Sequence, residues 1–291
     1  MKFCIFGKRF DKNYIPHIKQ LIEKLVERGF EVSVYNKFAD FLNKHFSIPS
    51  DISQFSSAQE VVGADFLISI GGDGTLLDTA SFIRDTNIPV LGINTGRLGF
   101  LSNVDVEEID EALEALVSGK YYLDKRSLIE VKSNDYPFGD FPFALNDVTI
   151  LNKERNSMIS IHTQINDEYM STYWADGLII STPTGSTAYN LSCGGPIVTP
   201  DSNNIILTPI APHNLNVRPL IMSNSNKVTL KVESRSPDFQ LTIDSRSYAV
   251  KCDTVIELTC APFEIGLVSL ENQSFFNTIR NKMGWGMDKR N

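Results

Sequence analysis

The chain has 291 residues, of which 42% are hydrophobic, and a formal net charge of −8. That length accommodates one large domain or two modest ones with real cores. The acidic balance argues against a nucleic-acid binder or a protein held on an anionic membrane surface. It leaves phosphate ligands open, since glycine-loop N–H groups and a metal neutralise them locally.

Residues 2–6 form a short apolar run ending at Gly7, too short for a signal peptide and expected to be a first strand. Ile15, Ile18, Leu21, Ile22 and Leu25 then recur on one helical face, and Gly29 stands where a helix stops. Residues 31–35 alternate as a strand, while 66–70 are continuously apolar, as in a strand covered on both faces. A helix over 75–84, a strand over 89–93 and a helix over 106–117 ending at Gly119 follow. Strand–helix repetition of this kind predicts a parallel sheet with helices on its faces.

The pattern changes near Tyr121. Strands are expected over 127–131, 143–151, 158–165, 178–181, 205–210, 227–232, 239–243, 255–258 and 265–269, with one short helix near 188–191. This predicts an all-β second domain. Residues 134–141 read as a loop, and 274–283 return to helical character. No segment has the apolar length of a membrane span. Cys4, Cys193, Cys252 and Cys260 match no zinc or CxxC spacing, so buried, reduced thiols in a cytosolic protein are expected.

Four polar blocks interrupt this framework. Gly71-Gly72-Asp73-Gly74-Thr75 lies between an apolar strand and a helix, where its glycines let backbone approach a phosphate. A carboxylate there is repelled by a polyphosphate unless it takes a proton or binds a metal; the structural alternative is that Asp73 caps the helix. Arg97, in the loop after the next strand, could reach a phosphate or pair a nearby carboxylate. Asn146-Asp147 sits in an apolar strand pattern, so it either meets a hydroxyl-rich ligand or marks a bulge or strand end. The block 176–196 drives a buried-type strand into a hydroxyl-rich Pro/Gly turn, with Tyr189 able to stack on a base. His213 is read as structural, and no residues are assigned as metal ligands.

Together, Gly71–Thr75, 94–101, Asn146-Asp147, 176–196, 208–220 and 275–285 resemble the NAD kinase family. GGDG alone is shared with diacylglycerol, sphingosine and phosphofructokinase-type kinases; the 176–196 block and the C-terminal FFNTIRNKMGW are more specific. The resemblance implies a Rossmann-like α/β domain with a parallel sheet (1–124) and a β-sandwich-like, dinucleotide-binding domain (125–270). It also implies a terminal segment (271–291) returning to the first. It further implies ATP-dependent phosphorylation of the adenosine-ribose 2′-hydroxyl of NAD, with Asp73 taking the hydroxyl proton. NAD contacts fall on Asp73, Gly74, Asn146, Asp147, Asp176, Thr187, Ala188, Tyr189, Asn190, Leu191 and Ser192, with Ser157 and Arg246 as weaker carry-overs. Phosphate contacts fall on Gly71, Gly72, Gly74, Thr75 and Arg97. Mg2+ carried on the donor's phosphates, a cytoplasmic place and a homotetramer or homodimer are expected. The sequence departs from the family at Trp174, where many members have Arg, and at Asp244-Ser245, where Asp-Gly is usual. A lipid or sugar kinase is disfavoured by Asn146-Asp147 and the 176–196 block; a non-catalytic NAD(H) sensor is disfavoured by Asp73.

Overall fold

The computed structural model describes residues 1–96, 99–134, 138–154, 157–271 and 273–286. Contacts divide the chain into two units, Met1–Lys125 with Ile265–Asn291, and Arg126–Glu264.

In chain order the first unit holds β1 (Lys2–Gly7), α1 (Ile15–Glu27), β2 (Glu31–Tyr35), α2 (Asn36–Leu42), β3 (Ser53–Phe55), α3 (Ala58–Val61) and β4 (Phe66–Gly71). It continues with α4 (Asp73–Ile83), β5 (Val90–Asn94), β6 (Val104–Asp105) and α5 (Ile109–Ser118). The strands pair in parallel in the order β3-β2-β1-β4-β5. β4 and β5 are buried throughout, which explains their unbroken apolar character. α1 buries Ile18, Leu21, Ile22 and Leu25, each gaining roughly 1.5–3 kcal/mol by leaving water. It is followed by Gly29 at φ 72°, a left-handed position that suits glycine. Strand order reverses between β1 and β4, the switch point at whose carboxyl edge open α/β sheets bind ligands. Gly71 and Asn94 pair at the adjacent ends of β4 and β5, so the loops that follow them leave the sheet side by side.

The second unit follows with β7 (Tyr122–Ser133, which starts in the first), β8 (Phe143–Ala144), β9 (Asp147–Leu151), β10 (Ile159–Ile165), β11 (Glu168–Ala175) and β12 (Gly177–Ser181). Then come α6 (Tyr189–Ser192), β13 (Asn204–Ile210), β14 (Leu220–Ser223), β15 (Val228–Glu233), β16 (Asp238–Ile243), β17 (Arg246–Lys251) and β18 (Val255–Ser269). One antiparallel sheet runs β14-β13-β12-β9-β16-β17; β11, β10, β15 and the start of β18 form another antiparallel run. Ile150, Leu178, Ile180 and Leu207 from the first share a core with Ile161, Leu230, Val232 and Ile256 from the second. This is the sandwich-like β domain expected. β18 is long enough that its last residues belong to the first unit, with Leu267 opposite Val90. α7 (Phe275–Met283), N-capped by Ser274, also belongs there, Phe275 packing 6.3 Å from Phe100.

Several elements differ from the sequence expectation. The run 143–151 is two strands, broken at Leu145-Asn146, and 255–269 is one strand rather than two. The helix expected over 106–117 opens with a 3-10 turn, Val106–Glu108. α2, β3, α3, β11, β14 and β17 carry too little regular hydrophobic spacing to announce themselves. β11 is an edge strand with Tyr169 and Trp174 largely exposed, and its hairpin turn is set by Asn166 and Asp167 at φ 51° and 68°. The four cysteines are free thiols, but only Cys4 is buried; Cys193, Cys252 and Cys260 are partly exposed. Burial pushes the Cys4 thiol up to about 11. Among the described residues no helix is long and apolar enough to cross a membrane.

Candidate active site

In the first unit, β4 delivers the glycine loop. A Cβ on Gly71 would stand 2.3 Å from Thr75 Oγ1, and its φ of 154° also favours glycine. α4 starts at Asp73 with Gly72 as a cap that makes no side-chain bond, so Asp73 does not cap the helix. Its carboxylate instead turns to the loop after β5: Oδ2 accepts from Phe100 N–H (2.8 Å), and Oδ1 from Leu101 and Ser102 N–H (2.9 and 3.1 Å). That loop lies so close that a Cβ on Gly99 would sit 1.9 Å from Asp73 Oδ1. Lys282 of α7 brings Nζ to 3.7 Å from Asp73 Oδ2 and lies over the Phe100 ring. The first N–H groups of a helix have no intrahelical partner, so α4 presents those of Asp73 and Gly74 as an anion cradle. Thr75 is buried against the loop. Arg97 lies outside the described residues.

In the second unit, the break between β8 and β9 forms the Asn146-Asp147 turn. Its N–H groups point at Asp244, whose Oδ2 accepts from Leu145 (2.9 Å) and Oδ1 from Asn146 and Asp147 (2.8 and 3.2 Å). Its carbonyls are taken from the other side: Thr182 Oγ1 donates to Leu145 O (2.6 Å), and Thr182 N–H to Asn146 O (2.9 Å). Among the described residues the Asn146 side chain makes no hydrogen bond, and Asp147 accepts one side-chain donor, Thr149 Oγ1, at 2.8 Å. Burial, more than the nearby Asp244 charge, pushes the Asp147 carboxyl up to about 6, with the Thr149 bond opposing. The same end of the sheet carries the turn that runs into α6. There Tyr189 and Ser192 are exposed, and Thr187, Ala188 and Leu191 are half-buried. Burial raises both the Tyr189 phenol and the Cys193 thiol.

The remaining expected residues are placed elsewhere or are already occupied. Asn190 is fully buried, its amide donating to Ser186 O and Pro196 O and accepting from Thr208 Oγ1, which makes it a pin for the turn. Arg246 donates to the carbonyls of Phe141 and Phe143. Antiparallel pairing sets Ser181 opposite Asp147 but Gly177 opposite Leu151. Asp176 and Ser157 therefore lie at the far end of β9, and Asp176, facing Asn152, is roughly 16 Å along the strand from Asp147 at about 3.3 Å per residue. There Asn152 N–H reaches Asp176 O and Asn152 Nδ2 reaches Ser157 Oγ. Trp174 packs against His213 at that end, with ring centroids 4.2 Å apart and the planes tilted by 40°. The Asp147 and Asp176 carboxylates nonetheless both act electrostatically on Tyr189 between them. The roles of Lys282, Gly99 and Thr182 went unread in the sequence, because each depends on a partner distant along the chain.

Among the described residues no three His, Cys, Asp or Glu side chains converge as metal ligands. Asp73 already faces three amides.

Family models for the ATP-NAD kinase N-terminal domain and C-terminal domain match residues 3–121 and 145–270. The chain belongs to the NAD kinase family. The NAD kinase of Cytophaga hutchinsonii is 42% identical over 292 residues, and that of Bacteroides fragilis 43% over 290, each covering 100% of both chains. A yeast NADH kinase solved with NADH superposes with a TM-score of 0.88 at 26% identity, over 99% of this chain and 89% of its own. An Archaeoglobus fulgidus NAD kinase solved with ATP gives 0.76 at 25%, over 98% and 99%. As a family member the chain is an enzyme that phosphorylates NAD.

Proposed function

We propose that the enzyme transfers the γ-phosphoryl group of ATP to the adenosine-ribose 2′-hydroxyl of NAD, with Asp73 as the group that orients the hydroxyl and takes its proton. The observation that carries this is the Asp73 carboxylate, held by three amides at the start of α4. A carboxylate has about four lone-pair sites, so one is left on Oδ2 for the hydroxyl. As the 2′-oxygen bonds to the γ-phosphorus, its O–H bond breaks toward Asp73 and the bond to ADP breaks on the opposite side. Phosphoryl transfer leans mostly on positioning and charge stabilisation. The α4 N–H groups offer fixed positive dipoles, and Lys282 offers a cation 3.7 Å from Asp73 Oδ2. Mg2+ carried on the donor's phosphates would supply charge neutralisation there.

Asn146 and Asp147 hold the ribose and adenine, Asp147 as the ionised acceptor, with Thr187, Ala188, Tyr189 and Ser192 beside them. ATP and a nicotinamide dinucleotide are the ligands of the solved relatives, which supports both substrates here. A homo-oligomer goes with this reading as the family resemblance implies it, and its mass is the test. The cytoplasm, where NAD and ATP are both abundant, is the compartment that suits this chemistry. The test is purified protein with ATP, Mg2+ and NAD in an assay coupled to an NADP-specific dehydrogenase. Steady NADP formation is expected; its absence at any donor concentration sinks the proposal.

A further inference from the structure

The turn carrying Asn146 and Asp147 lacks a regular ladder on its N–H side. β9 and β16 pair as far as Val148 opposite Ile243. At the next position Asp244 takes φ 51°, and the chain doubles back as a two-residue hairpin into Arg246. Its own N–H still reaches Asp147 O at 3.0 Å, but its side chain turns inward and replaces the missing ladder. The side chain is 4% exposed and accepts three consecutive amides, from Leu145, Asn146 and Asp147. On the opposite side Thr182 and Ser181 hold the carbonyls of 145 and 146. Gly185 packs so near that a Cβ there would stand 2.1 Å from Asn146 O. With the backbone of the turn engaged on both sides, the Asn146 and Asp147 side chains are what it still has to offer a ligand.

We infer that Asp244 is a positioning residue for dinucleotide binding: its buried carboxylate fixes the backbone of residues 145–147 and so aims Asn146 and Asp147 at the substrate. This rests on the assignment of those two side chains to the dinucleotide. The arrangement repeats the one in the first unit, where Asp73 gathers the amides of 100–102. A carboxylate with both oxygens facing N–H donors is a stronger and more directional anchor than a neutral acceptor. Serine in place of the family's usual glycine at 245 leaves this untouched, since the residue at positive φ that does the anchoring is Asp244.

Asp244 also faces Asp147 electrostatically. The groups around the Asp147 carboxyl are the Thr149 hydroxyl on its own strand, Asp244 at the hairpin with Arg246 4.0 Å beyond it, and Tyr189 and Cys193 from the α6 segment. Asp244 is the like charge that adds to burial in raising Asp147. Burial raises the Asp244 carboxyl as well, opposed by the amides of 145–147 and by Arg246. Where it is ionised, removing its charge lowers the pH at which Asp147 ionises.

The experiment is steady-state kinetics of the full-length enzyme against pH. Asp244→Asn keeps the size but turns one acceptor into an NH2 that confronts an amide. The expected result is a KM for NAD raised at least tenfold, with kcat within about threefold and the KM for ATP unchanged. The acid limb of the NAD profile should also move to lower pH. A general loss of folding would instead reduce the amount of active enzyme and leave both KM values and the pH limb in place, and that outcome overturns the inference. Hydrogen exchange on the wild-type protein keeps the test open if the variant fails to fold. The 145–147 amides should be protected like those of β9, and free exchange there overturns the inference. Asn146→Ala and Asp147→Asn serve as controls. If they leave the KM for NAD unchanged, the assignment of the turn to the dinucleotide falls and this inference with it. If they raise it and Asp244→Asn does not, the inference alone fails.

Discussion

Asp73 and Asp147 are both carboxylates, yet their surroundings set them different tasks. Asp73 is a fixed acceptor ringed by amides, and Asp73→Asn would lose both the proton acceptor and one amide anchor. A positioned general base contributes about 10²- to 10⁴-fold, so kcat should fall by that order while the KM for NAD changes little. An amide NH2 facing a backbone N–H costs about 1–3 kcal/mol, so the melting temperature should drop by several degrees as well. Near-normal NADP formation by the variant would remove Asp73 as the base. Asp147 titrates near pH 6 because burial favours its neutral form. Between about pH 4 and pH 6 the native state holds this proton more tightly than the unfolded chain, so the group's stabilising effect is lost as pH rises through that window. Binding runs the other way, since the substrate's hydroxyl and amino donors need the ionised acceptor. The KM for NAD should be about tenfold higher at pH 5 than at pH 7.5, and Asp147→Asn should remove that acid limb. A KM independent of pH in the wild-type enzyme would exclude Asp147 as an ionised contact. The GGDG glycines and Asn146-Asp147 stand out in the sequence because they break an apolar pattern. Thr182 and Lys282 lie in blocks that stand out too, but their individual roles do not, because each depends on a partner distant along the chain.

At the level of elements, α7 shows how a terminal helix joins the chemistry. Ser274 starts it, Phe275 seats it on Phe100, and two turns later Lys282 meets Asp73. Lys282→Met keeps most of the apolar stem and removes the charge. It should raise the KM for ATP or lower kcat by about tenfold, roughly 1.4 kcal/mol, with little change in the KM for NAD. Unchanged ATP kinetics would show that the lysine only pairs with Asp73. The helix itself was legible over 274–283 from its spacing, as were α1 and β4 from theirs. β11 and β17 were not. Their apolar residues are diluted because one face of each is exposed, and the turns that create them depend on asparagine and aspartate at positive φ rather than glycine.

At the scale of the molecule, two compact units each bring a carboxylate-anchored loop to the end of a sheet. The homo-oligomer proposed for this enzyme is tested at this scale. Light scattering coupled to size exclusion should give at least twice the 32.5 kDa chain mass. A monomer with full activity would show that a single chain supplies every contact it needs.

Hydrophobic period and punctuation determined the two fold classes, the change near Tyr121, and the glycine loop at a strand's carboxyl end. Those depend on residues near one another in the chain. The resemblance of the polar blocks supplied the chemistry. What only the tertiary structure decided is who holds whom: Asp73 with the amides of 100–102, Asp244 with those of 145–147, Lys282 with Asp73. These partners are separated by tens to hundreds of residues, and a buried carboxylate is tolerated only where folding has gathered enough N–H groups to replace water.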